Sequence, residues 1–254
     1  MTDARMQKWA PWLLLVAILV VWQALCGALD VSEFIFPSPM RIAQQMVEFR
    51  VPIAQHAWRT WWVTMVGFAL AIGVGVLLGM LVGTSRLAYA AVYPAMTAFN
   101  ALPKAAFVPL LVVWFGIGIG PAILTAFLIS FFPIMVNIAT GLATLEPELE
   151  DVLRVLGATR WDILRKVGFP RSLPYFFASL KVAITLAFVG TTVSEMTAAN
   201  EGIGYMLVSA GSAMQMGLAF AGLVVIGAMA MAMYELFSLL ERHTTGWAHR
   251  RAPR

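Results

Sequence analysis

The chain reads as an all-α integral membrane protein of about six spans, and three observations carry that reading. Only 12% of its residues are charged and 61% are hydrophobic, against roughly 25% charged in an ordinary soluble domain. The charges also leave whole stretches empty: Trp9 to Leu29, Thr60 to Ser85, Leu87 to Pro103, Ala105 to Leu145 and Gly202 to Tyr234 contain no Asp, Glu, Lys or Arg. At ordinary composition an uncharged run as long as the second would begin at about one position in two thousand. The runs finally have the length that lipid asks for, since about twenty apolar residues cross the hydrocarbon as a helix and a charge at its centre costs about 2.5 to 3.5 kcal/mol.

The first span is placed at Trp12 to Ala28. Arg5 and Lys8 ahead of it also suit a signal peptide, but no A-x-A site follows, and Leu25 before Cys26 does not suit a lipoprotein processing site, so the helix is expected to be retained. Cys26 is the single cysteine, which excludes an intrachain disulfide. In the following loop, Met40, Ile42, Ala43, Met46 and Val47 alternate with polar residues at a spacing that predicts a short helix on the membrane surface, its apolar face against lipid or neighbouring spans. The second span, Trp61 to Val82, carries Gly67, Gly73, Gly75 and Gly79. Gly75 and Gly79 form a G-x-x-x-G, used more often for packing within a chain than for a dimer face.

The third span, Leu87 to Trp114, is long and holds Pro94, Pro103 and Pro109, which predicts a kink or break. Non-helical backbone at membrane depth survives only where it is buried in protein or faces water, so Asn100 to Pro109 is assigned to the translocation pathway. The remaining spans are placed at Pro121 to Thr140, Val182 to Thr197 and Met216 to Leu239. With both termini cytoplasmic, thirteen of the Lys and Arg residues fall inside, and only Arg41, Arg50 and Arg59 fall outside, with Lys104 set apart at membrane depth; this is the positive-inside pattern. The net charge of +4 and sequence pI of 9.5 follow from those flanking cations, and no nucleic-acid partner is expected. Trp61, Trp62, Trp114 and Trp247 read as interfacial anchors.

The most charged stretch, Glu146 to Ile184, lies between the fourth and fifth spans. Leu149, Val152, Leu153, Val155 and Leu156 share one face of a short helix that Gly157 ends as a left-handed cap. Thr159 and Asp162 then form an N-cap signature for a second helix through Ile163, Leu164 and Val167, stopped by Pro170. Two short amphipathic helices need a partner surface. A DNA-binding role is a poor fit, because the hairpin is tethered to spans at both ends.

The order of Glu150 and Asp151, Gly157 and Ala158, Val167, Pro170, Leu173 and Pro174 before Lys181 resembles the EAA loop of bacterial ABC importer permeases, although Asp151, Val152 and Leu153 depart from the name-giving residues. The runs NALPKAAFVPLLVVWFGIGIGP (Asn100 to Pro121), SEMTAANEGIGYML (Ser194 to Leu207) and LERHTTGW (Leu240 to Trp247) are similar to signatures of the nitrate, sulfonate and taurine branch. The resemblance implies a single permease domain over residues 1–254 with a type I importer (MetI-like) fold, its core at about 60–247 and its coupling hairpin at 146–181. It also implies a homodimer in the bacterial inner membrane, two cytoplasmic ATPase subunits and an external substrate-binding protein. No cofactor is expected on this chain, with ATP and Mg on the ATPase; the sequence contains no G-x-x-x-x-G-K-[ST] phosphate cradle. The implied cargo is a small anion, with thiamin or flavin precursors as the alternative. A secondary transporter remains the rival reading, and it has no need of a charged docking hairpin.

The resemblance assigns Glu150, Asp151, Leu153, Gly157, Ala158, Thr159, Pro170 and Pro174 to ATPase coupling. Candidate pathway or gate residues are Asn100, Pro103, Lys104, Asn137, Thr192, Glu195, Asn200, Gly202 and Gly204. Glu195, ionisable near the end of a span, is a functional candidate by position; a structural carboxylate bonded to Thr191, Thr192 or loop amides is favoured over substrate contact. Gly202 and Gly204 are expected to turn the chain back as a gate. Lys104 either attracts an anion or snorkels to headgroups. Asn100, Ser130, Asn137 and Thr140 either line the pathway or bond between helices. His56, His243 and His249 show no metal-ligand spacing, and no catalytic set is visible.

Overall fold

The helices of the protein follow one another with short connections. The computed structural model describes residues 2–143 and 152–245, and every regular element among them is helical: α1 (Thr2–Ala28), α2 (Pro39–Glu48), α3 (Arg50–Gly83), α4 (Arg86–Ala101), a 3-10 turn (Lys104–Phe107), α5 (Val108–Phe115), α6 (Ile119–Ala143), α7 (Arg160–Ile163), a π segment (Leu164–Gly168), α8 (Phe169–Ala198), α9 (Ile203–Ser212) and α10 (Met216–Thr245). Five helices are long and apolar enough to cross a bilayer, and a sixth crossing is formed if Leu87 to Phe115, bent by 73°, counts as one span. The bend falls where Pro103 removes a donor and drives Leu102 into an extended conformation (φ −67°, ψ 134°). Pro109 is tolerated in the first turn of α5.

The centre of the bundle is α6, held between α3 and α8. Every fourth residue of α3 along one stripe is small: Gly67, Ala71, Gly75, Gly79 and Gly83. A Cβ added at Gly67 would lie 2.7 Å from the Cβ of Ala126, and one at Gly83 would lie 2.8 Å from the Cα of Ala139. The G-x-x-x-G of Gly75 and Gly79 is therefore used inside the chain, where it lets α3 and α6 approach closely. Phe68, Ile134, Ile138, Ile184, Ala187 and Phe188 complete this core.

A second cluster joins α2, α3, α9 and α10 through Ile42, Ile53, Ile203, Met206, Ala210 and Leu218. Ser38 caps α2, accepting from the Arg41 amide at 3.3 Å. α2 is thus seated on neighbouring helices through Ile42 and Gln45, while Met40, Ala43 and Val47 of its apolar set remain exposed. Trp22, Phe36 and Phe220 gather where the end of α1 meets this cluster, with Trp22 and Phe36 tilted at a centroid distance of 5.2 Å and Phe36 edge-on to Phe220. Trp62 and Trp114 are exposed, and Trp61 stacks on Trp58 at 5.2 Å.

Two sequence-based expectations are corrected. Pro170 does not stop a helix: it lies in the first turn of α8, and Pro174 lies inside the same helix. The π segment ahead of it widens the turn, with the Phe169 amide donating to the Leu164 carbonyl, so the prolines enter without ending the helical run. The glycine-containing turn after span five does not lead straight into span six either. It opens the additional helix α9, whose Ile203, Met206 and Ala210 are buried at helical spacing.

Candidate functional site

Two places gather the sequence-predicted residues. The first is the joint around Glu195, which is 3% exposed near the end of α8. The N-terminus of α9 points at it, and the first three amides there are all taken by side chains from other helices. The Gly202 amide donates to His56 Nδ1 at 3.1 Å, the Ile203 amide to Thr60 Oγ1 at 2.8 Å, and the Gly204 amide to Glu195 Oε2 at 3.0 Å. Thr60 Oγ1 in turn donates to the Glu195 carboxylate, with its two oxygens at 2.8 and 3.0 Å. One turn deeper, Thr64 donates to the Thr60 carbonyl at 2.7 Å and lies 2.8 Å from the Thr191 hydroxyl.

This arrangement is a helix N-cap supplied in trans. The amides that open a helix have no partner within it, and the helix dipole favours a carboxylate at that end. Glu195 therefore has a structural role, since its carboxyl oxygens take the Thr60 hydroxyl and the Gly204 amide. Gly202 has φ +104°, and a Cβ there would overlap the Glu195 carboxyl; a Cβ at Gly204 would run into the Thr192 carbonyl. The glycines are thus required by close approach as well as by turning. Arg59 and Glu201 pair at 3.2 Å beside the joint, and a shallow cleft of about 190 Å³ that reaches Glu195 itself is lined by Arg59, Gly118, Ile119, Asn200 and Glu201.

The other pathway candidates are bonded locally. Lys104 Nζ donates to the Asn100 carbonyl at 3.0 Å and to Asn100 Oδ1 at 2.9 Å, and lies 5.4 Å from the Phe132 ring centroid. It therefore clasps the C-terminus of α4 across the break that Pro103 makes. Asn137 donates to Pro133, Ser130 to Ala126 and Thr192 to Phe188, each a carbonyl one turn back, while Thr140 meets Tyr89 at 3.2 Å.

The second place is the hairpin between α6 and α8. A helical turn at residues 152–155 ends at Gly157, with φ +84°. The Ala158 amide donates to the Leu153 carbonyl at 3.0 Å and the Gly157 amide to Arg154 at 2.9 Å, the paired bonds of a Schellman cap. Thr159 and Asp162 then cap each other: the Asp162 amide donates to Thr159 Oγ1, and the Thr159 amide to Asp162 Oδ2, both at 3.2 Å. The hairpin backbone is closed, but its apolar side chains are not. Val155 is 88% exposed, Leu156 76% and Trp161 63%; Leu156 also borders a hollow of about 320 Å³ lined by Leu153, Ala158, Asp162, Ile163, Lys166 and Val167. Glu150 and Asp151 lie outside the described residues, as do Glu146 to Leu149 and Trp247.

His56 and Thr60 of the joint had gone unassigned from sequence. Their signal was a polar stripe, His56, Thr60 and Thr64, at every fourth position of α3.

The chain belongs to the family of binding-protein-dependent transport system inner membrane components, which matches residues 71–245. It is therefore a permease subunit of an ABC importer and an inner-membrane component. It is 32% identical to the riboflavin transport system permease protein RibX of Chloroflexus aurantiacus, over 92% of this chain and 88% of the relative. Identity is 31% to the formylaminopyrimidine transport permease protein ThiX of Halalkalibacterium halodurans, with 78% and 80% covered, and 28% to the putative aliphatic sulfonates transport permease protein SsuC of Bacillus subtilis, with 94% and 88% covered. Among solved structures, the MetNI methionine ABC transporter has the same fold, with a TM-score of 0.65 at 20% identity over 75% of this chain and 94% of that one.

Proposed function

We propose that two copies of this chain form the translocation pathway, and that the hairpin receives the push of two separate cytoplasmic ATPase subunits, which bind the ATP and Mg. An extracytoplasmic binding protein delivers the cargo, both termini are cytoplasmic, and the subunit itself performs no catalysis. The observation that carries this reading is the hairpin: a backbone closed by caps at both helix ends, presenting Val155, Leu156 and Trp161 outward, is a surface for a protein partner. Its second arm continues through the π segment into α8, so a displacement of the hairpin is delivered along a membrane helix. Reconstitution with the cognate ATPase tests this. ATP-driven uptake that is lost on Leu156→Asp supports it, and ATP-independent uptake overturns it.

For the cargo, the reading is a small anion of the sulfonate and taurine type. Lys104 is the single charged residue from Leu87 to Leu145, and the Glu195 carboxyl is engaged by the α9 N-terminus and Thr60. A second reading, a formylaminopyrimidine or flavin cargo, is favoured by the identities of 31% and 32% to ThiX and RibX. Calorimetry of the cognate binding protein against taurine, alkanesulfonates, nitrate, formylaminopyrimidine and riboflavin separates the two.

A further inference from the structure

One ion pair in the hairpin-side half of the bundle joins the last residue of the coupling segment, Lys181, to α10. Lys181 on α8 and Glu241 on α10 meet at 2.6 Å, with their side chains 19% and 12% exposed. The Lys181 ammonium also lies 5.9 Å from the Tyr234 ring centroid. At 1.5 Å per residue, Lys181 sits about 21 Å along α8 from Glu195, toward the hairpin-side end of the bundle. Charges covered by protein persist when each compensates the other, and removing one partner leaves an uncompensated charge.

The seating of α10 makes the pair mechanically significant. Near its start, Gly217, Leu218, Ala219, Ala221 and Gly222 are buried against α2 and α9, but from there to Thr244 no residue of α10 is buried. That long remainder touches the core through half-buried Met229, Met233 and Phe237, with Phe237 edge-on to Phe68 at 5.5 Å. Tyr234, Phe237 and Glu241 fall at three- and four-residue spacing on one face. The face toward α8 therefore packs through partly buried side chains rather than fully buried ones, and it contains one short charge contact with both side chains largely covered. The residues opposite lie on the helix that leads out of the hairpin.

We propose that Lys181 and Glu241 are positioning residues that clamp the hairpin-side half of α10 to α8, so that a push on the hairpin displaces two spans together. The role in coupling rests on the reading of the hairpin given above; the clamp itself does not.

The test uses the assembled transporter in liposomes, with Cys26→Ser and spin labels at Val182→Cys and Leu239→Cys, exposed positions on α8 and α10. The α8 to α10 separation is read without nucleotide and with ATP plus vanadate. With the pair intact, one narrow separation is expected in both states. Lys181→Met and Glu241→Gln are expected to broaden or shift it in at least one state and to reduce binding-protein-stimulated ATP hydrolysis by roughly tenfold. The exchange Lys181→Glu with Glu241→Lys restores both. Should a single variant fail to insert, Lys181→Met with Glu241→Leu, which buries no lone charge, is expected to give the broadened distribution. A separation that changes between states with the pair intact, or variants with the parent's narrow distribution, overturns the clamp. Absence of ATPase stimulation in the parent, with the separation still narrow, removes the coupling reading and leaves the clamp standing.

Discussion

The Glu195 joint and the hairpin are built on opposite principles. At the joint, His56, Thr60 and Glu195 accept three consecutive amides of α9, and Thr60 and Glu195 are buried. At the hairpin, the backbone is equally well capped, yet Val155 and Leu156 are among the most exposed apolar side chains of the chain. The two glycines make the contrast sharp. Gly202 and Gly157 both have positive φ, +104° and +84°, but a Cβ at Gly202 overlaps the Glu195 carboxyl, whereas one at Gly157 meets nothing within 4 Å. One end of the molecule is completed within the chain and holds α3, α8 and α9 together; the other leaves apolar side chains uncovered by the described residues.

Substitutions can break that contrast, and the largest effect is expected at Gly202. Gly202→Val combines backbone strain with overlap and is expected to destabilise the fold by about 3 to 5 kcal/mol, read as a lower melting temperature in detergent. Glu195→Ala leaves Thr60 and the Gly204 amide unpaired and is expected to lose about 3 kcal/mol, with Glu195→Gln losing less. A parent-like melting curve for the alanine variant would show that the joint does not hold the helices. On the hairpin the readout changes from stability to association. Leu156→Asp is expected to weaken ATPase binding by about 2 kcal/mol, roughly thirtyfold, with the melting temperature unmoved. Gly157→Val faces only the conformational term, about 1 to 2 kcal/mol confined to the hairpin, and is expected to reduce binding-protein-stimulated ATP hydrolysis while insertion stays normal. The smallest effect belongs to His56→Phe, which removes one acceptor from the joint, about 1 kcal/mol. Equal loss of melting temperature in the Gly157 and Gly202 variants would erase the distinction between the two ends.

Much of this was legible in residue order. Gly157 as a left-handed cap and Thr159 with Asp162 as a capping pair are local signals, since their bonds span five residues or fewer, and both are present in the fold. Pro103 as the site of the break is local in the same sense. Pro170 and Pro174 were misleading because proline forbids a regular helix interior, while the π segment beside them is a compensation that no single residue announces. α9 was hidden by the two glycines that open it. The bond from Thr60 to Glu195 joins residues 135 apart in the chain, and neither residue names the other.

Membrane residence, the number of crossings and the position of the hairpin follow from the order of residues alone, because exclusion of charge from hydrocarbon and the capping of helix ends act over one helix at a time. What Glu195 is bonded to, that the Gly75 and Gly79 stripe faces α6, and that Lys181 meets Glu241 were decided only when the helices packed. A buried carboxylate, a missing Cβ and a lone lysine each acquire meaning from the atoms placed against them, and those atoms come from distant segments that the packing brings together.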